Sequence, residues 1–228
     1  AARWPSPRPG DRVLPISIAG NEVAVKVSST QRGFGLIEIL ITLLVFSIGI
    51  LAVAGLQAIS KKNNFDALQR TEAANLAGFI ASSMRSNPAA LDDYLVSQSS
   101  PRGSRAQLTT PDNDCYQSDC SPGELAAFDL WQWEKALDGA GETVTADGET
   151  TRTGGLSRAS ACITGPAGGG SGFYTIVIAW RGVTQLDPGG VTSCGTGRGL
   201  YGAPSDTAGS AADESYQRAL VLETFIAS

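Results

Sequence analysis

The sequence predicts an α+β protein: a long N-terminal helix packed on an antiparallel sheet, with a second, short helix. Three observations point there. An apolar run from Phe34 to about Ser60 passes without a break into a helical repeat that stops at Asn87-Pro88. A helix-start signature stands at Ser121. Beyond it the pattern turns to alternation, in GFYTIVIAWRG (172–182) and YQRALVLETFIA (216–227). Helices followed by strands joined through loops suit segregated layers and not an alternating α/β fold.

Taken in order, residues 1–33 are a poor core former, with Pro5, Pro7, Pro9 and Pro15 among scattered Arg. They read as a disordered leader extension or as upstream sequence. The chain opens on Ala, so its true start is left open, with Val23, Val25 and Val27 as alternative start points. From Phe34 to Ser60 only Glu38, Gln57 and a few hydroxyls interrupt the apolar run. A helix of that length spans about 39 Å, more than the ~30 Å hydrocarbon core of a bilayer. Residues 34–60 are therefore expected to cross a membrane. Lys26 and Arg32 precede the run and Lys61 and Lys62 follow it, so the flanking charges give no clear orientation.

The helical period continues past the lysines. Phe65, Leu68, Leu76, Phe79, Ile80 and Met84 recur at helical spacing, with Gln69, Arg70, Glu72, Asn75 and Arg85 largely on the other face. One helix over about residues 35–86 is expected, its first half apolar all round and its second half amphipathic. Asn87-Pro88 ends it. Residues 89–120 read as loop. In CSPGELAAFDLWQWEKALDGAG, Ser121 caps, Pro122 suits the first helical position, and Glu124 completes a capping box. Gly139 or Gly141 closes that helix, and Phe128, Trp131, Trp133 and Leu137 read as packing residues.

Strands are expected at 159–164, 172–182 and 216–227. In the second, Tyr174, Ile176, Ile178 and Trp180 share one face and Val177 and Ala179 the other. The stretch GPAGGGSGF (165–173) is Gly-rich, but it lacks the Lys and Ser/Thr of a phosphate loop and leads into a strand. It reads as a turn. Residues 182–213 have no period and read as a long surface loop.

Composition narrows the function. The 228-residue chain carries 17 basic and 22 acidic side chains, net −5, which argues against nucleic acid as a partner. It contains no histidine, so a Ser-His-Asp triad and an imidazole zinc site are both out of reach. No cofactor and no catalytic residue are expected. Asp112, Asp114 and Asp119 lie close in sequence and read as solvated loop acids sooner than as a Ca²⁺ site. The four cysteines suit disulfides in an oxidising compartment. They allow three pairings. The preferred one joins Cys115 to Cys120 and Cys162 to Cys194. A zinc site on all four thiolates is the alternative, without the two-residue spacing typical of such sites.

Gly33-Phe34-Gly35-Leu36-Ile37-Glu38, followed by about twenty apolar residues, resembles the leader signal of the type IV pilins and pseudopilins. Residues 31–138 resemble the minor pilins of that family most, through FDALQRTEAANLAGFIASSMRSNP and SPGELAAFDLWQWEKAL. The resemblance implies a pilin fold and assembly in place of catalysis. It implies that prepilin peptidase cuts between Gly33 and Phe34, removes residues 1–33 and methylates the new amine at Phe34. Glu38 then becomes the fifth mature residue. Residues 61–228 would form a periplasmic head, held by an inner-membrane anchor before entry into the pilus. Other minor and major pilins, the inner-membrane assembly machinery and lipid are the implied partners.

Glu38 needs such a partner. An ionised carboxylate at the centre of a span costs about 2.5–3.5 kcal/mol on insertion scales, less near an end. The resemblance implies a meeting with the N-terminal amine of a neighbouring subunit. Two unit charges at ~4 Å attract by about 4 kcal/mol at an effective dielectric of ~20, before desolvation is subtracted. Two rivals remain open. Ala52-Val53-Ala54 matches an ordinary secretory cleavage site, which would release a soluble protein starting at Gly55, although the apolar run is long for that and holds an acid. A minor pseudopilin of a type II secretion system would share the leader and the helix.

Overall fold

The computed structural model describes residues 35–104, 110–186, 191–202 and 214–228. The chain forms two compact units, residues 1–50 and 51–228. Helix α1 (Leu36–Ser86) begins in the first unit. Residues 35–65 are exposed throughout, so among the described residues no other part of the chain covers that apolar stretch.

In the second unit α1 buries Gln69, Ala73, Leu76, Ala77, Ile80, Ala81 and Met84, a three-and-four repeat along one face. That face differs from the one expected. Phe65, Leu68 and Phe79 stay 41%, 68% and 43% exposed, while Gln69 is 9% exposed. The buried stripe is lined by alanines, whose small side chains let the backbone approach its neighbours closely. Trp133 exploits this: fully buried, it donates from its indole Nε1 to the Leu76 carbonyl at 3.0 Å. Gln69 is buried because residues 155–157 need its amide. Its Nε2 donates to the Gly155 carbonyl (3.2 Å) and its Oε1 accepts from the Ser157 N–H (2.8 Å).

Asn87 ends α1 and ties three elements together, donating from Nδ2 to the Pro122 carbonyl at 2.7 Å and to the Tyr94 hydroxyl at 3.3 Å. The stretch read as loop opens instead with a 3-10 helix, Pro88–Tyr94. It then runs along the strand Ser160–Thr164 through bridges at Val96–Ile163 and Arg102–Ala161. Helix α2 (Pro122–Leu137) has the expected capping box, with Ser121 N–H donating to Glu124 Oε2 at 2.8 Å. Gly139 closes it at φ +61°. A Cβ there would fall 1.9 Å from the Gly154 carbonyl oxygen, so both the conformation and the space demand glycine. Trp133 and Leu137 join the core. Phe128 is buried, and Trp131 stays half-buried outside the core.

Strands β1 (Thr143–Ala146) and β2 (Glu149–Arg152) form an exposed hairpin that the sequence reading missed. Asp147 and Gly148 turn it with φ of 53° and 81°, the left-handed pair that a two-residue hairpin favours. The main sheet has the order β3-β4-β5, all antiparallel: β3 (Ser160–Thr164), β4 (Gly172–Arg181) and β5 (Gln217–Ile226). Tyr174, Ile176, Ile178 and Trp180 fill the core from β4.

The long Gly-rich segment is not only surface. Within residues 191–202, Cys194 and Tyr201 are fully buried. Disulfides join Cys162 to Cys194 (Cα–Cα 5.9 Å) and Cys115 to Cys120 (5.6 Å). The first ties a β3 residue to that segment across 32 residues, and the second closes a loop of sequence separation 5 just before α2.

Two stability effects follow, measurable by urea denaturation of the purified chain. Trp133→Ala is expected to cost about 3–5 kcal/mol, because it leaves a cavity in the core. Replacing the Cys162–Cys194 pair by Ser is expected to cost about 4 kcal/mol and the Cys115–Cys120 pair about 2 kcal/mol, since the longer loop restrains the unfolded chain more.

Candidate functional site

Two parts of the molecule carry chemistry that is not core packing: the start of α1 and the junctions of the head. At the start of α1, Glu38 lies in the first turn. Its N–H donates to the Gly35 carbonyl at 2.9 Å, and the Ile39 N–H shares that carbonyl at 3.3 Å. A carboxylate in the first turn faces the positive end of the helix dipole, which favours it over the same acid further along. From Leu36 to Ser60 it is the one ionisable side chain. Its neighbours Leu36, Ile37 and Leu40 are exposed by 82%, 68% and 60%.

Hydroxyls in the same stretch are satisfied within the helix. Thr42 Oγ1 donates to the Ile39 carbonyl (2.9 Å) and Ser47 Oγ to the Leu43 carbonyl (2.7 Å). Such back-bonding leaves these two hydroxyls without need of water. The helix is long and apolar enough to cross a membrane. Gly33 and Phe34, the residues of the implied cleavage and methylation, lie outside the described residues.

In the head, charged groups are paired where they are buried. Glu134, 3% exposed, accepts from Arg102 Nη1 at 3.2 Å and from the Gly103 N–H at 3.1 Å. Arg198 reaches the Gly103 carbonyl and Ser160 Oγ, fastening the Gly-rich segment to the same corner. The loop acids act locally: Asp114 accepts from the Tyr116 N–H (3.0 Å) and from Gln117 Nε2 (2.9 Å). Among the described residues no three acids or cysteines gather into a metal-sized cluster.

Among the titrating groups shifted by their surroundings are Asp129, Tyr94 and Tyr201. Burial raises the Asp129 carboxyl above the usual range, against hydrogen bonds from Tyr94 and Ser83 that lower it. Tyr94, donating to Asp129 at 2.5 Å, is raised by burial first and by that carboxylate second. Burial also pushes Tyr201 up to about 12. Gln69, Asn87 and Arg198 were not singled out in the sequence as anchors. Nothing local marks them, because their partners are distant in the chain. The hairpin did carry a signal, Asp147-Gly148 between Thr-rich stretches.

The raised Asp129 gives a pH dependence with a definite sign. Its folded form holds the proton more tightly than the unfolded chain, so its contribution is fully present below about pH 4 and is lost as pH rises through the folded value. Asp129→Asn keeps an acceptor for Tyr94 and should flatten this fall, read as urea midpoints across about pH 4–7.

Comparison with known families agrees with this geometry. Residues 28–54 match the prokaryotic N-terminal methylation motif, and residues 55–131 match the family described as Type IV pilin Tt1218. No curated protein and no solved structure matches the chain. The first match covers the Gly-Phe junction, Glu38 and most of the apolar stretch of α1, and the second runs through the rest of α1 and most of α2. Residues 28–54 and 55–131 thus match, end to end, a prepilin-type N-terminal methylation motif and a type IV pilin family.

Proposed function

We propose that this chain is a minor pilin, of the kind known as PilV or type IV pilus modification protein. In this reading prepilin peptidase cuts between Gly33 and Phe34, discards residues 1–33 and methylates Phe34. Residues 34–60 hold the protein in the inner membrane, and residues 61–228 form a head in the periplasm. The subunit then joins other minor and major pilins and helps to start or cap the pilus.

One observation carries the reading: a lone carboxylate, Glu38, in the first turn of an apolar helix that the other described residues leave uncovered. Cleavage would place a positive amine at Phe34. Glu38 of one subunit and that amine of the next would then neutralise each other in a dry helix bundle. Attraction at ~4 Å amounts to about 4 kcal/mol at an effective dielectric of ~20, which sets the register of insertion more than the net affinity. The helix has a further uncovered stripe. Phe65, Leu68 and Phe79 are exposed apolar residues, and Leu68 and Phe79 stand eleven residues, about three turns, apart. A stripe of that kind suits packing against other helices.

Two measurements test this. Mass spectrometry of the mature N-terminal peptide is expected to show methylated Phe34; a peptide starting at Gly55 would replace the reading by an ordinary secreted protein. Glu38→Gln is expected to leave the protein in the membrane but lower its amount in sheared pili by about tenfold or more, with Glu38→Asp in between. Unchanged incorporation of Glu38→Gln would end the charge-pairing account.

A further inference from the structure

The sequence holds two Asp-Gly pairs, Asp138-Gly139 at the end of α2 and Asp147-Gly148 at the tip of the β1–β2 hairpin. Such a pair can react with itself. A bond between the aspartate Cγ and the next backbone nitrogen closes a five-membered ring, and glycine brings no side chain to hinder it. Ring closure requires the backbone to turn until those two atoms meet. The structure treats the two pairs differently in this respect.

Asp138-Gly139 is clamped. Gly139 is buried, its N–H donates to the Ala136 carbonyl at 3.1 Å, and its backbone lies against Gly154. The Asp138 carboxylate accepts from the Ser104 N–H at 2.6 Å. Turning this peptide would break both bonds. Asp147-Gly148 stands in the open. Residues 141–153 are exposed throughout, and a Cβ on Gly148 would meet nothing within 4 Å. The hairpin pairs Thr143–Ala146 with Glu149–Arg152, and its one large apolar side chain, Val144, is 53% exposed. A lone two-stranded hairpin is marginal in water. It opens at low free energy, whereas the end of α2 opens only with the core. Below it the Thr153 N–H donates to the Glu142 carbonyl at 2.8 Å, a base from which the strands can part while α2 stays in place.

We propose that Asp147-Gly148 is a modification site at which isoaspartate forms spontaneously, at a rate set by opening of the hairpin. In the open hairpin the Gly148 nitrogen bonds to Cγ of the protonated Asp147 side chain. The carboxyl hydroxyl and the amide proton leave together as water, and a succinimide remains. Water then adds back at one of its two carbonyls. Cleavage of the Cγ–N bond restores aspartate. Cleavage between the nitrogen and the Asp147 main-chain carbonyl carbon leaves isoaspartate, with the chain routed through the side-chain methylene. Mass is unchanged, and no oxidant or reductant is needed. The main chain is now one atom longer. The two-residue turn, which relies on φ of 53° and 81°, no longer closes, and the strands lose their pairing. The core is untouched, since β1 and β2 contribute nothing to it. The proposal does not rest on the pilus reading, because the reaction is followed on the purified chain.

The test is incubation of the full chain in lipid nanodiscs for weeks at neutral pH and body temperature, then peptide mapping with isoaspartate identified by electron-transfer fragmentation. Isoaspartate is expected to accumulate at residue 147 faster than at residue 138 by about tenfold or more. Asp147→Glu, one carbon too long for the five-membered ring, is expected to stay unmodified. Thr145 and Thr150 are directly paired, with their hydroxyls 3.0 Å apart. Replacing both by Cys and oxidising them staples the hairpin, and the stapled chain is expected to convert about tenfold more slowly than the parent. The inference is overturned if residue 147 stays aspartate, if residue 138 converts as fast, if Asp147→Glu is modified alike, or if the staple leaves the rate unchanged.

Discussion

An α-helix satisfies its own backbone, and everything about this chain depends on that property of α1. In its first stretch no other described part of the chain covers the helix, its side chains are mostly apolar, and the Thr42 and Ser47 hydroxyls fold back onto their own turn. A backbone built this way can leave water without abandoning its helical hydrogen bonds. Glu38 is the exception, and its placement in the first turn is what makes the exception tolerable. The same secondary structure then continues into the head, where the rule for its side chains changes from apolar everywhere to apolar on one stripe.

Within the head, packing is governed by small residues and a few polar welds. Ala73, Ala77 and Ala81 keep the buried stripe of α1 thin. The largest buried side chains come mostly from its partners, among them Trp133, Tyr94, Tyr174 and Tyr201, with Ile80 and Met84 added by α1 itself. The consequence is that Phe65, Leu68 and Phe79 are not used by the chain itself. Polar groups are buried where a backbone turn would otherwise lack partners. Gln69 serves the bend at 155–157, Asn87 the start of α2, and Glu134 the bend at Gly103. Each acts as a fastener between segments that share no regular secondary structure, which fits the rule that buried polar groups are bonded.

The sheet shows how an irregular segment can belong to a core. Residues 191–202 contain no strand, yet Cys194 and Tyr201 are buried, and Arg198 is bonded to the Gly103 carbonyl and Ser160. The Cys162–Cys194 disulfide pins that segment to β3. A loop of low periodicity is thus held by a covalent bond and a guanidinium instead of a backbone ladder.

The sequence by itself determined whatever depends on near neighbours. The extent of α1, the capping box of α2, the alternation of β4 and the α+β class were all legible, because helix bonds link residues four apart and strand faces repeat every two. The likeness of residues 28–54 to a prokaryotic N-terminal methylation motif was legible for the same reason, through a short run of adjacent residues. Only the tertiary structure decided which stripe of α1 is buried, since alanine and leucine both satisfy a helical repeat and the choice rests on the shape of the partner. The disulfides it forms, Cys115–Cys120 and Cys162–Cys194, are the pairing the sequence favours among three. The tertiary structure alone paired Gln69 with Ser157 across 88 residues. Those contacts join side chains whose sequence separation carries no period, so no local pattern could have announced them.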